Sequence, residues 1–380
     1  MTIVIVGAGL AGLRTAQELR KLGYDGEVVL VGEERHLPYD RPPLSKEVIR
    51  GEREDTTFET EEYFTEHKID LRLGTAAVAV DAGNKRVELS DGSSLAYDNL
   101  VVATGLTPRK LSSLPVLQGV HVLRSRDDAE ALRRDAGEST RAVVIGAGFI
   151  GCELAAGFRH LGVQVTIVEP QATPLASVLG TEVGALVARL HAAEGVDLRV
   201  GVGVDTLRGD DRVTHVVLSD GSEIDADTVV VGVGSTPVVD WLAGSGIELG
   251  DGVLADSVGR TSDPHIWAVG DVAAWTSGEI RKRVEHWSNV GDQVRVLVPA
   301  LLGAEAGPSR PQVPYFWSDQ YELKIQALGH PSADDSVEII EDDGRKFLAY
   351  YVRDGILTAV VGAGKAGGVM KMRAKIGQPR

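Results

Sequence analysis

Two short glycine loops carry the chemistry that this chain can do. Gly7-Ala8-Gly9-Leu10-Ala11-Gly12 follows the β-branched run Ile3-Val4-Ile5-Val6 and opens a helix-periodic stretch reaching about Leu22. Gly146-Ala147-Gly148-Phe149-Ile150-Gly151 follows Ala142-Val143-Val144-Ile145 and opens a second such stretch reaching about Leu161. In each loop the first glycine permits a tight turn, the second lets backbone approach a pyrophosphate, and the third lets helix pack on strand. The helix N-terminus adds unpaired N–H groups and the positive end of the dipole. The next apolar strands, Val28 to Val31 and Val165 to Val168, end at Glu33 (with Glu34 beside it) and Glu169. A carboxylate there accepts hydrogen bonds from an adenosine ribose. A lone glycine loop of this kind is weak evidence. The full order of strand, loop, helix, strand and acid, occurring twice, is an internal repeat with a mechanism.

Two cradles imply two dinucleotides. The copy that begins the chain is read as an FAD domain and the inserted copy as an NAD(P) domain. Ala103-Thr104-Gly105 ends a strand just before the insertion, and Val233-Gly234 lies in the matching exit, Val231 to Pro237. Ile266 to Val269 is a strand that returns to the first domain and ends at Gly270-Asp271. Alternating strands at Lys346–Val352 and Ile356–Val361 mark a small third domain. The expected fold is α/β, with two Rossmann-like dinucleotide-binding domains of glutathione-reductase type and a C-terminal α+β domain. The expected boundaries are 1–111 with 241–313 for the FAD domain, 112–240 for the NAD domain and 314–380 for the last.

Composition narrows the function. The chain has 380 residues, with 39 Lys plus Arg against 55 Asp plus Glu, a net charge of −16. Such a chain is a poor general binder of nucleic acid or anionic membrane. Its single cysteine, Cys152, excludes an intramolecular disulfide, a CxxC pair and any multi-cysteine metal or iron–sulfur site. No metal site is expected, and redox chemistry must come from a bound organic cofactor. No apolar run is long enough to span a bilayer, and Thr2 enters a strand at once, so no membrane span or secretory signal is expected and the expected location is cytoplasmic.

Tyr39-Asp40-Arg41-Pro42-Pro43-Leu44-Ser45-Lys46, the two glycine loops, Ala103-Thr104-Gly105, Gly270-Asp271, Glu285-His286-Trp287 and Phe316-Trp317-Ser318-Asp319 occur in one order along the chain. Together they resemble the NADH-dependent, FAD-containing ferredoxin reductases of bacterial oxygenase and cytochrome P450 systems. The resemblance covers nearly the whole chain and extends to rubredoxin reductases and apoptosis-inducing factors. It implies that Glu33 binds the FAD ribose, that Arg41 and Lys46 hold FAD near its phosphates and flavin ring, and that Arg109 contacts the flavin region. It implies that Asp271 bonds the ribityl chain, that Glu285, His286, Trp287 and Trp317 pack around the isoalloxazine, and that Ala77 belongs to the same flavin site. Glu153 is implied to face the nicotinamide and to pair with Lys46 across the domain interface. The chain departs from relatives at Val361-Gly362-Ala363-Gly364-Lys365, where they often carry an Asn-Arg-Pro-like turn.

Several of these residues also have plainer readings. Lys46 suits the exposed start of a helix. Glu153 suits a helix's first turn, where it favours the dipole. Cys152 reads as a small packing residue, His286 as a hydrogen-bonded ring beside Trp287, and Trp317 as core. Lys371, Arg373, Lys375 and Arg380, and the cluster Arg281-Lys282-Arg283, are basic patches able to steer an acidic partner or a solvated tail and surface. The acidic stretch from Asp334 to Asp343 reads as a solvated turn. Glu169, with no Arg or Lys from Pro170 to Val178, welcomes a ribose diol and repels a 2′-phosphate, which predicts NADH over NADPH.

The resemblance thus implies an NADH-dependent flavoprotein oxidoreductase. Hydride passes from NADH to the flavin, and electrons leave singly to a [2Fe-2S] ferredoxin. A rubredoxin reductase, an NADH oxidase and a redox-signalling flavoprotein of the apoptosis-inducing-factor type are the alternatives.

Overall fold

The computed structural model describes residues 1–278, 280–304 and 313–380. They gather into two compact units: Met1–Asp40, Thr56–Thr107 and Ser235–Gln312 in the first, and Arg41–Asp55, Pro108–Gly234 and Val313–Arg380 in the second. The sequence had placed Arg41–Asp55 with the first glycine loop and set the C-terminal segment apart. Stretch 305–312, next to the expected boundary at 313, lies outside the described residues.

In the first unit a parallel five-stranded sheet runs in the order Ile266–Ala268, Asn99–Val102, Thr2–Val6, Glu27–Val31, Ile69–Arg72. Strand side chains alternate between faces. Ile3 and Ile5 therefore join Leu13 and Leu19 of helix Leu10–Lys21 and Val294 and Leu297 of helix Trp287–Leu301, while Val4 and Val6 join Val80, Val87 and Trp241 opposite. Strands covered on both faces need apolar residues at every position, which is why the run lacks polar alternation. Each such side chain contributes about 1.5–3 kcal/mol on burial.

The second unit repeats the plan, with Asp197–Val200, Gln164–Glu169, Arg141–Ile145, Thr228–Val231 and Val120–His121 in a parallel sheet. Val144 packs with Leu154 and Phe158 of helix Phe149–His160, and Val143 and Ile145 pack on the other face with Val216 and Leu218. An antiparallel sheet follows, ordered Tyr315–Gln320, Leu323–Gly329, Ile356–Ala363, Phe347–Arg353, Ser336–Asp342. Its inner residues Ile325, Tyr351 and Val361 share one hydrophobic core with Val144, Cys152 and Phe158. The Tyr351 hydroxyl donates to the Leu179 carbonyl at 2.6 Å. That common core is why the C-terminal sheet does not stand as a separate compact unit.

The acidic stretch corrects the sequence reading. It forms the edge strand Ser336–Asp342 rather than a turn. Ion pairs hold it: Arg189 with Asp342, Lys365 with Glu341 (2.7 Å), and Arg380 with Glu338 (2.8 Å). Asp335, just before the strand, pairs with Arg353 at 2.6 Å. Cations opposite the carboxylates offset the poor strand propensity of Asp and Glu.

Candidate functional site

Both glycine loops connect strand to helix as their spacing requires. Gly7 has φ +115° and Gly146 φ +99°. A Cβ on Gly7 would lie 2.2 Å from the Ala103 carbonyl oxygen, and one on Gly146 would lie 2.4 Å from that of Gly232. The third glycines, Gly12 and Gly151, pass so close to Gly7 and Gly146 that a Cβ would strike their carbonyl oxygens at 1.9 and 2.1 Å. The middle glycines differ. Gly9 and Gly148 have ordinary negative φ, and a Cβ on either would meet no protein atom within 4 Å. Neither backbone conformation nor internal packing asks for glycine there. Each is the N-cap of its helix and supplies no side-chain cap, so the first-turn N–H groups stay open beside bare backbone. An incoming pyrophosphate explains both features. The residues present therefore fit a dinucleotide in each copy.

Of the other first-unit candidates, the structure brings Ala103 and Gly270 against the first loop and its helix. Leu10 and Ala11 begin the helix, and a Cβ on Gly270 would lie 2.8 Å from that of Ala11. The Gly270 N–H donates to Gln293 Oε1 at 2.8 Å, and Asp271 follows in the short turn Gly270–Val272. Glu33 is exposed past the end of strand Glu27–Val31. Glu34 Oε2 accepts from the Tyr39 hydroxyl at 2.5 Å. Thr104 Oγ1 donates to the Val238 carbonyl at 2.7 Å, and Gly105 has φ +66°. Ala77 begins strand Ala77–Asp81. Glu285 pairs with Arg283 at 2.6 Å, His286 is the N-cap of helix Trp287–Leu301, and Trp287 Nε1 donates to Asp40 Oδ1 at 2.8 Å.

In the second unit, Glu169 Oε2 accepts from the Ala147 N–H at 2.7 Å and Oε1 from the Gln171 N–H at 3.0 Å. The loop thus orients the carboxylate that ends the strand. Phe149 meets Phe316 edge-on at 5.2 Å, and Ile150 is exposed. Val233 and Gly234 (φ +95°) lie beyond strand Thr228–Val231, and the Arg109 N–H donates to the Gly234 carbonyl at 3.0 Å. Arg41 Nη1 donates to the Arg124 carbonyl at 2.6 Å. Trp317 stacks on Tyr315 at 5.9 Å, with Lys324 Nζ over its ring.

Lys46 and Glu153 come together. Their side chains meet at 2.7 Å and are 7% and 3% exposed. The pair forms inside one compact unit rather than across a domain boundary, because segment Arg41–Asp55 packs on helix Phe149–His160. Gly157 permits this: a Cβ there would press Ile49 Cγ2 at 3.2 Å. Lys46 is buried between the turn Pro42–Ser45 and helix Glu47–Arg50, so it is not an exposed helix-start lysine. Glu153 is the fifth residue of its helix, beyond the reach of the first-turn dipole. Lys46 Nζ also donates to the Pro42 carbonyl at 3.0 Å.

The other partners of Glu153 lie in the segments Tyr39–Lys46 and Phe316–Asp319, but nothing in the sequence assigns either of them a role. Ser45 Oγ donates to Oε2, and Ser318 Oγ donates to Oε1 at 2.7 Å. The signal available was polar residues at inward positions of a strand: Ser318 and Gln320 are both fully buried. Cys152 is fully buried, and its thiol, 3.6 Å from the Ala147 carbonyl, is pushed well above its ordinary pKa by burial and by the neighbouring Glu153. It packs and does not react. In the basic cluster, Arg283 is nearly buried between Asp251 (2.9 Å) and Glu285, which neutralises it, whereas Lys371, Arg373 and Lys375 are exposed. Among the described residues no His, Cys, Asp or Glu cluster suits a metal, and no helix is long and apolar enough to cross a membrane.

Residues 1–293 match the family model described as pyridine nucleotide-disulphide oxidoreductase, and residues 315–379 match the one described as reductase C-terminal. The chain belongs to this family of FAD- and NAD(H)-using oxidoreductases, on its ferredoxin-reductase branch. It is 39% identical over 340 residues to rhodocoxin reductase of Rhodococcus erythropolis, covering 87% of this chain and 78% of that one. It is 41% identical over 331 residues to the ferredoxin–NAD(+) reductase component of the p-cumate 2,3-dioxygenase system of Pseudomonas putida, covering 86% and 81%. Among solved structures, the ferredoxin reductase for the CYP199A2 system from Rhodopseudomonas palustris superposes with TM-score 0.93 at 36% identity, over 98% of this chain and 93% of that one. The putidaredoxin reductase–putidaredoxin complex gives TM-score 0.94 at 32% identity, over 99% and 93%. The expected fold, two dinucleotide-binding folds and a C-terminal domain, is that of the family.

Proposed function

We propose that this chain carries electrons from NADH, through bound FAD, to a [2Fe-2S] ferredoxin that serves a cytochrome P450 or ring-hydroxylating oxygenase. The observation that carries the reading is the pair of glycine cradles whose middle glycines, Gly9 and Gly148, have no internal reason to be glycine. The names of the relatives, reductase components of oxygenase systems, support the acceptor class. The flavin, when bound, converts a two-electron hydride donor into a one-electron donor.

The chain's own residues bind and orient. Gly7, Gly9, Leu10, Ala11 and Gly12 would receive the FAD pyrophosphate, Glu33 and Glu34 its adenosine end, and Asp271 its ribityl chain. Ala77, Ala103, Thr104, Gly105, Gly270, Glu285, His286 and Trp287 would enclose FAD, with Arg41 directed to the phosphates and Arg109 and Trp317 to the flavin. Gly146, Gly148, Phe149, Ile150, Gly151, Glu169, Val233 and Gly234 would receive NADH. Among the described residues Lys46 spends two N–H groups on Glu153 and Pro42. Its third would be left for the flavin, where a cation would favour the electron-rich state. Glu153 holds that ammonium and would face the nicotinamide. The cytoplasm is the proposed location.

The test is an acceptor screen. The full chain loaded with FAD, supplied with NADH, should reduce cytochrome c rapidly only when a ferredoxin is added. Rapid reduction with rubredoxin alone, or oxygen consumption without a carrier, would move the assignment to the alternatives. A long-lived reduced flavin–NAD⁺ complex that passes electrons to no acceptor would instead mark a redox-signalling protein.

A further inference from the structure

Glu153 Oε1 is the end of a buried hydrogen-bonded chain drawn from three segments far apart in sequence. Ser318 Oγ lies 2.7 Å from Glu153 Oε1, Gln320 Nε2 lies 3.2 Å from Ser318 Oγ, His191 Nε2 lies 3.1 Å from Gln320 Oε1, and the Tyr321 hydroxyl lies 2.7 Å from His191 Nδ1. Ser318, Gln320 and His191 are fully buried.

The chemistry of each group fixes the direction of the next. A carboxylate paired with an ammonium only accepts, so Ser318 spends its one proton on Glu153. Its oxygen must then accept, so the Gln320 amide turns its NH2 toward Ser318 and its carbonyl toward His191. That carbonyl needs a donor, so His191 carries its proton on Nε2. Nδ1 is then an acceptor, and Tyr321 supplies the hydrogen. Every bond points toward Glu153, and only the neutral Nε2–H ring completes the sequence. Burial lowers the His191 pKa to about 4, in keeping with a neutral ring.

The opposite tautomer would reverse the chain. With the proton on Nδ1, the Gln320 amide would flip, Ser318 would donate to Gln320, and Glu153 Oε1 would lose its hydroxyl. Tyr321 adds a separate observation. It sits in the hairpin loop between Tyr315–Gln320 and Leu323–Gly329 with φ +56°. Left-handed backbone favours Gly or Asn, and a bulky aromatic there is an outlier. The conformation places its hydroxyl on His191.

We propose that Ser318, Gln320, His191 and Tyr321 are positioning residues: a one-way hydrogen-bonded chain that orients the Glu153 carboxylate between Lys46 and the nicotinamide end of the coenzyme. The role assigned to the coenzyme rests on the function proposed above, while the direction of the chain does not.

Two measurements on the full FAD-loaded chain test it. In protein labelled with ¹⁵N-histidine, with the His191 signal assigned by its loss in His191→Gln, the nitrogen shifts should report a neutral Nε2–H ring at neutral pH. An Nδ1–H ring would overturn the proposal. In stopped-flow reduction by NADH, Ser318→Ala should slow the reduction at saturating NADH about tenfold while moving the half-saturating concentration less than about twofold, and Ser318→Thr should recover most of the rate. Ser318→Ala at the full saturating rate would also overturn it. If NADH fails to reduce the unmutated holoprotein, the proposed function fails, and the tautomer signal still decides the chain.

Discussion

The ammonium of Lys46 lies 2.7 Å from Glu153 Oε2, with both side chains almost wholly shielded from water. Removing one member of such a pair leaves a buried charge with no countercharge, whereas removing both leaves none. Glu153→Ala or Lys46→Ala should each cost about 3 kcal/mol of stability. The double variant should cost clearly less than the sum, and urea unfolding of the four proteins checks this. Additive losses would mean that the two side chains do not interact.

The three glycines of a loop should separate by phenotype. Gly12→Ala puts a Cβ 1.9 Å from the Gly7 carbonyl oxygen and should lower the Tm of the FAD-free chain. Gly9→Ala enters open space and should cost no more than the loss of a helix N-cap preference, about 1 kcal/mol. It should nonetheless release FAD readily on gel filtration. Equal effects on FAD retention and on apo stability at both positions would contradict the cradle.

Coenzyme choice follows from Glu169. Its carboxylate, fixed by the Ala147 and Gln171 N–H groups, should give a higher kcat/KM with NADH than with NADPH. Glu169→Ala should narrow the ratio about tenfold, or ~1.4 kcal/mol. Equal values in the unmutated enzyme would refute this reading.

His191 gives stability a pH dependence. Its folded pKa, about 4, lies below the ordinary value of 6.5 because burial penalises the cation. As pH falls through 6.5 the unfolded chain takes up a proton that the folded chain does not, so stability is present above that pH and is lost on the way down to about 4. The loss approaches about 3 kcal/mol. The Tm of His191→Gln should fall less over this window than that of the unmutated chain, and parallel curves would dismiss the effect.

Much of this was legible in the sequence because the signals were local. Each glycine loop, its preceding β-branched strand and its terminal acid fit within a few tens of residues, and the structure builds both as strand, loop and helix. The Lys46–Glu153 pair was reachable only through resemblance, since 107 residues separate its members. Glu153 looked like a first-turn residue because the helix start was set at the glycines, whereas it begins at Phe149. Gln320 and His191 lay in no motif, and Ser318 lay in the Phe316–Asp319 segment with no role attached to it. Their meaning lies in tertiary distances, and the one trace of it was polar residues recurring on the inward face of a strand. The edge strand Ser336–Asp342 was hidden because the Arg and Lys residues that neutralise it come from elsewhere in the chain.

The central claim is that this chain holds FAD where NADH can reduce it, with Lys46 and Glu153 as the buried pair beside the reacting rings. Anaerobic titration of the FAD-loaded chain tests it most directly. One equivalent of NADH should bleach the flavin's visible absorption, and Lys46→Met should slow that bleaching at least about tenfold. A chain that stays colourless after incubation with FAD, or a Lys46→Met holoprotein that bleaches at the unmutated rate, would contradict the account.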